Sequence, residues 1–144
     1  MKMEKWLFFS VIIAIIALLG IAVVGAGSVY QSVFPMAAPI DCPDLESITA
    51  ISLIRDNDTS VVVETADFGE LLHNISNTQP TRIWSVNDYP TAENYYTMEI
   101  DTSEREYRYF IYMESSQVYI ESPYEGVYQA DQQILELVAE PFKN

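Results

Sequence analysis

The chain has 144 residues, 21 of them acidic and 7 basic, for a formal charge of −14 at pH 7. Nucleic acid and anionic lipid surfaces call for clustered Lys and Arg, so this balance argues against both as partners. The single cysteine, Cys42, leaves no internal disulfide to form, and the fold rests on packing alone.

Lys2 and Lys5 precede a stretch, Trp6 to Ile40, without one charged side chain. Within it Trp6–Val24 is apolar throughout except for Ser10 and Gly20. A helix that crosses a bilayer needs about 20 mostly apolar residues, since hydrocarbon offers the backbone no hydrogen-bond partner. A secretory signal also opens this way, and Val24-Gly25-Ala26 and Ala26-Gly27-Ser28 both fit cleavage sites. The run exceeds the usual signal core of about 7–15 residues, which favours an uncleaved anchor. The two lysines place the N-terminus in the cytoplasm. The expectation is a single-pass cell-membrane protein with an anchor over 1–30, a tether over 31–47 and an extracytoplasmic domain over 48–144.

Pro35, Pro39 and Pro43 make the tether extended. Ile48–Arg55 is β-branched and reads as a strand, with Asp56-Asn57-Asp58-Thr59 as a turn and Ser60–Glu64 as its hairpin partner. Asp67 with Glu70 has capping-box spacing, and Phe68, Leu71, Leu72 and Ile75 then form one apolar helical stripe. His73 falls off the stripe and reads as a solvated residue. Thr81–Val86 leads into the loop Asn87-Asp88-Tyr89-Pro90. Strands are expected at Tyr95–Asp101, Glu106–Glu114, Gln117–Ser122 and Val127–Gln129, with a Pro-led turn at Pro123–Gly126. Asp131 caps a last helix that turns Ile134, Leu135, Leu137 and Val138 to the sheet and stops at Pro141. The order ββαββββα with short turns gives an α+β class: an N-terminal transmembrane helix, then a small antiparallel sheet with two helices on one face.

Nine of the ten tyrosines lie between Tyr89 and Tyr128. Tyr107, Tyr109 and Ile111 read as partly core, and Tyr95, Tyr112 and Tyr119 as an exposed aromatic face. Asp56 and Asp58 begin like a calcium loop but lack its later Gly and Glu, so no metal site is expected. Asn57-Asp58-Thr59 and Asn74-Ile75-Ser76 fit glycosylation sequons. No nucleophile-elbow, zinc-protease, paired-Cys or phosphate-loop pattern is present, and one His with one Cys supplies few nucleophile–base pairs. The chain therefore reads as a non-enzyme with no cofactor.

Two segments are more specific: Ser85-Val86-Asn87-Asp88-Tyr89-Pro90, and Tyr119 to Tyr128, YIESPYEGVY. With the N-terminal anchor and the element order, they resemble a family of small membrane-anchored extracytoplasmic domains of unknown function from Gram-positive bacteria. The resemblance spans roughly residues 46–138. It implies a shared fold and surface exposure and brings no activity with it. The residues themselves are turn formers, and Gly126 suits a tight turn beside a sheet.

The sequence thus points to a domain binding an unknown protein or peptide, with the membrane reached through the N-terminal helix and no nucleic acid partner. The candidate binding residues are Asn87, Asp88, Tyr124 and Glu125, and no residue is nominated as catalytic. The alternative is a cell-wall glycan module using exposed tyrosines. A small hydrolase built on carboxylates is a third reading.

Overall fold

The computed structural model describes residues 2–56 and 59–143. They divide into two compact units, 1–35 and 36–144. In the first, α1 spans Lys2–Val33. Its stretch Ile12–Val33 is long and apolar enough to cross a membrane. The isoleucines, leucines and valines from Ile12 to Val24 are solvent-facing, as expected of a helix whose apolar surface meets lipid or a signal receptor.

The second unit is built on a seven-stranded antiparallel sheet: β1 (Ile48–Arg55), β2 (Thr59–Val62), β3 (Gln79–Pro80), β4 (Tyr96–Thr102), β5 (Glu106–Glu114), β6 (Gln117–Ser122) and β7 (Gly126–Ala130). Their spatial order is β2-β1-β4-β5-β6-β7-β3. Helices α2 (Phe68–Ser76) and α3 (Gln132–Ala139) contact each other on one face of this sheet. The expected α+β class is what the chain adopts, and the strands expected at 48–55, 106–114 and 117–122 have those bounds. Asn57 and Asp58, within the expected first turn and sequon, lie outside the described residues.

Alternation sets which side chains meet the helices. Ile51 and Leu53 of β1, Met98 and Ile100 of β4, Tyr109 and Ile111 of β5, and Val118 and Ile120 of β6 pack with Phe68, Leu71, Leu72 and Ile75 of α2 and Ile134 and Val138 of α3. The register places Met98 opposite Tyr109 and Ile111 opposite Ile120, so the buried stripe runs straight across the strands. His73 is exposed, with its Nε2 2.9 Å from Asn77 Nδ2. Asp131 caps α3 as expected, its Oδ1 accepting from the Gln133 amide at 3.0 Å.

Asp67 does not cap α2. A 3₁₀ turn at Thr65–Asp67 runs into the helix and leaves Asp67 itself with helical angles, φ −94° and ψ −8°. A cap needs an extended backbone to bring its carboxylate back onto the first turn, and Asp67 makes no such bond.

The opposite face of the sheet is not open either. Phe110 and Tyr112, which point away from the helices, are buried, and Tyr95 and Tyr119 are half-buried. The exposed aromatic face expected at Tyr95, Tyr112 and Tyr119 is therefore not there. The cover comes from the segment between β3 and β4, whose Tyr89 and Tyr95 rings lie 5.7 and 5.4 Å from that of Phe110.

The stretch read as tether, 31–47, lies within the second unit from Met36 onward. The Ala37 amide donates to the Thr81 carbonyl at 2.9 Å, and the Thr81 amide donates to that of Val127 at 3.1 Å. The strap at 36–44 thus extends the sheet edge beyond β7. Gly126 makes room for it: a Cβ there would stand 2.6 Å from that of Ala37. Gly126 does not have a positive φ; close approach, not turn geometry, is its reason. Gly126→Ala is expected to lower stability by about 1–3 kcal/mol in denaturant unfolding, and Ala37→Gly in the same chain to recover much of that loss.

Candidate functional site

The two motif segments meet. Ser85 Oγ donates to Glu121 Oε1 at 2.6 Å, and Tyr124 Oη donates to Asp88 Oδ1 at 2.5 Å. The Val127 amide donates to the Ile83 carbonyl at 3.0 Å. Each bond joins the loop after β3 to the β6–β7 hairpin, more than 30 residues on. Ser85 and Glu121 are both buried, and Tyr112 Oη approaches the other carboxylate oxygen at 3.3 Å. A buried carboxylate is tolerable only with such donors. Burial, and next the Glu121 charge, push the Tyr112 phenol upward.

The hairpin tip is a Pro-led turn. The Glu125 amide donates to the Ser122 carbonyl at 3.1 Å, and Ser122 Oγ donates to Glu125 Oε2 at 2.7 Å. Tyr124 holds φ at 63°, in the left-handed region. That is the type II pattern, in which the residue after proline is normally Gly or Asn. A bulky side chain there costs roughly 1–2 kcal/mol. The turn accepts it, keeps the ring in solvent and points the hydroxyl at Asp88. This hydrogen bond is the first cause of the raised Tyr124 pKa.

Beside this pair is a cleft of about 420 Å³, walled by Asp41, Asp88, Arg105, Tyr107, Tyr124 and Glu125 among others. Three of the four sequence candidates border or form it. Asn87, the fourth, is exposed and outside its wall. Sequence reasoning missed Asp41, Arg105 and Tyr107, which arrive from the strap, from the turn between β4 and β5, and from β5 itself. Arg105 pairs with the Asp41 carboxylate and sits with its guanidinium carbon 4.1 Å from the Tyr107 ring centre. Tyr107 in turn stacks near Tyr109 at 6.5 Å, and Tyr109 Oη donates to the Asp41 carbonyl at 2.5 Å. Arg108 bridges Glu99 at 3.0 Å and Glu106 at 2.8 Å.

The loop after β3 also carries a feature the tyrosine count hid. Ile83 is 54%, Trp84 52% and Val86 70% exposed, while Ser85 between them is buried. The hydrogen bond to Glu121 holds the serine in, while Ile83, Trp84 and Val86 face solvent.

The family match coincides with this construction. The chain belongs to the DUF5301 family. The match runs over residues 36–129, and the family is described as a domain of unknown function (DUF5300). It begins at the docked strap, 12 residues before β1. Among solved structures, the NMR structure of the protein from Ruminococcus gnavus is similar, at 28% identity and a TM-score of 0.55. That likeness covers 64% of this chain and 91% of the other. No curated protein matches.

Cys42 belongs to the strap and packs against the core. Burial first, then Asp41 and Asp44, raise its thiol from 9.0 to about 11. The folded state therefore holds this proton more tightly than the unfolded one, and the associated stability is complete below pH 9 and lost as pH climbs toward about 11. Tyr109 shifts the same way, with burial first and Cys42 next. Alkylation of native Cys42 at pH 8 should run at least about tenfold slower than in the urea-unfolded chain, because only the thiolate reacts. Cys42→Ala should flatten part of the alkaline loss of stability.

Proposed function

We propose that this is a non-catalytic domain, held outside the cytoplasm by an uncleaved α1 with Lys2 and Lys5 inside, that binds a protein or peptide partner through the loops at Asn87–Asp88 and Tyr124–Glu125. The reading fits a surface-exposed protein of the Gram-positive type that the motifs resemble. The observation that carries it is Tyr124: an exposed ring, 62% accessible, fixed in an unfavourable backbone conformation by Pro123 and Asp88. Backbone strain of this kind persists where the surroundings enforce it and clusters at functional positions. Rigid aromatics dominate recognition energetics because little entropy is lost in ordering them.

A non-catalytic role is supported by how the cleft's carboxylates are engaged. Asp41 is taken by Arg105, Asp88 by Tyr124, Glu106 by Arg108 and Glu125 by Ser122. General acid–base work needs a carboxyl poised beside a substrate position, and these are tied to neighbours. The glycan alternative draws on the tyrosines of the cleft. It is weakened by Tyr107, whose ring is already engaged by Arg105 and Tyr109.

Tyr124→Gly separates recognition from folding by sign. Relief of the positive φ should raise stability by roughly 1 kcal/mol, while retention of the partner from membrane and wall extracts on the full-length protein drops at least about tenfold. Lower stability with unchanged retention overturns the proposal. Retention of purified wall glycan in place of protein, lost in the same variant, transfers the site to the glycan reading.

A further inference from the structure

In a domain with twenty acids after residue 40 against five basic residues, the stretch Leu71–Asn87 contains no acid at all, and Arg82 is its one charge at neutral pH. The exposed Ile83, Trp84 and Val86 lie at its end. They are presented by a fixed backbone: the Ile83 amide donates to Thr81 Oγ1 at 3.1 Å, Thr81 Oγ1 donates to the Val127 carbonyl at 2.6 Å, and Ser85 is locked to Glu121. Nothing in the second unit requires a tryptophan to stand in water here. Exposed contiguous apolar residues mark a contact surface, and Trp with aliphatic neighbours suits the headgroup level of a bilayer, where the ring is apolar and its N–H stays wet.

Chain connectivity selects among possible occupants. The Ala37 amide is bonded to the Thr81 carbonyl, two residues from Ile83, and Met36 before it is also exposed. Only three residues lie between Val33, the end of the candidate span, and Ala37. A chain advances at most about 3.6 Å per residue, so a bilayer holding that span lies within reach of this edge. A second copy is disfavoured, since each domain carries a net charge of −15 after residue 40, five basic against twenty acidic residues.

We propose that Ile83, Trp84 and Val86 form a membrane-contact surface that seats the domain on the headgroup layer of the bilayer its own N-terminal helix spans. The contact is apolar rather than ionic, which reconciles it with the acidity of the rest of the domain. Being intramolecular, it needs little intrinsic affinity, because the tether sets a high effective concentration. Seating the domain this way would fix which surfaces, the Tyr124 cleft included, remain open to a partner. The proposal rests on the reading of α1 as an uncleaved span.

The test uses the full chain with Trp6→Phe, which leaves Trp84 as the sole tryptophan, in phosphatidylcholine nanodiscs. Lipids brominated in the upper acyl chain should quench Trp84 emission at least about twofold, and Val86→Asp or Ile83→Asp should abolish the quenching without lowering the melting temperature. Emission indifferent to brominated lipid overturns the proposal. If iodide in the water is excluded as well, the occupant is protein and not lipid. Release of the chain from membranes by alkaline carbonate would show that the span reading itself has failed, and the seat with it.

Discussion

A carboxylate buried on the outer face of a β-sheet has to be answered by donors, and in this domain the answer comes from 36 residues away. Glu121 lies on β6 facing away from the helices, and Ser85 Oγ meets it at 2.6 Å. An unsatisfied buried carboxylate would cost several kcal/mol. The segment after β3, which has no helical or strand periodicity of its own, is therefore drawn down onto the sheet. Once Ser85 is fixed, its neighbours have little freedom. Phe110 is roofed by Tyr89 and Tyr95, the Ile83 carbonyl receives the Val127 amide, and Asp88 is delivered to the Tyr124 hydroxyl. The same fixation turns Trp84 and Val86 outward. Both nominated surfaces, the cleft beside Tyr124 and the apolar ridge at Trp84, are products of one buried polar contact.

The edge of the sheet is managed by related means. Beyond β7 lie the two paired residues of β3 and then Thr81 and Ala37, joined by successive backbone hydrogen bonds. An unpaired edge is a template for association with other chains. Here the strap leading from the first unit covers it, and Gly126 yields the space of one methyl group so that Ala37 can lie close. The hairpin beside it keeps its strained residue at Tyr124 rather than placing glycine there. Space at position 126 and strain at 124 thus have separate causes, although the two residues belong to one hairpin.

Much of this architecture was legible from residue periodicity. The alternation in Glu106–Glu114 gives β5 its bounds, and the stripe Phe68, Leu71, Leu72, Ile75 gives α2 its buried face. What escaped was whatever depends on non-periodic chain. Tyr112 looked exposed because its strand alternates, and a strand says nothing of a loop laid over its outer side. The strap looked like a linker because prolines and small residues carry no amphipathic signal, yet its backbone amide at Ala37 and its carbonyl at Asp41 are both used. Asp67 had the spacing of a cap and lost the role to one extra 3₁₀ turn. At the candidate site, Asp88 and Tyr124 stood out as turn residues more elaborate than a turn needs, and they do touch. Tyr107 reaches the cleft through the register of β4 against β5, and Arg105 from the turn that joins them, neither of which sequence spacing encodes.

The most direct test of this account is a double-mutant cycle between Ser85 and Glu121, read by denaturant unfolding with Trp84 emission as a second probe in the Trp6→Phe chain. Ser85→Ala alone should cost about 1–3 kcal/mol, the loss expected when a buried charged acceptor is left short of a donor. Combined with Glu121→Gln, the losses should be markedly less than additive, with a coupling of at least about 1 kcal/mol. Ser85→Ala should also shift Trp84 emission at denaturant concentrations well below the main transition, as the loop lifts first. Single losses below about 0.5 kcal/mol that simply add, with Trp84 silent until global unfolding, would contradict the claim that this contact holds the loop in place.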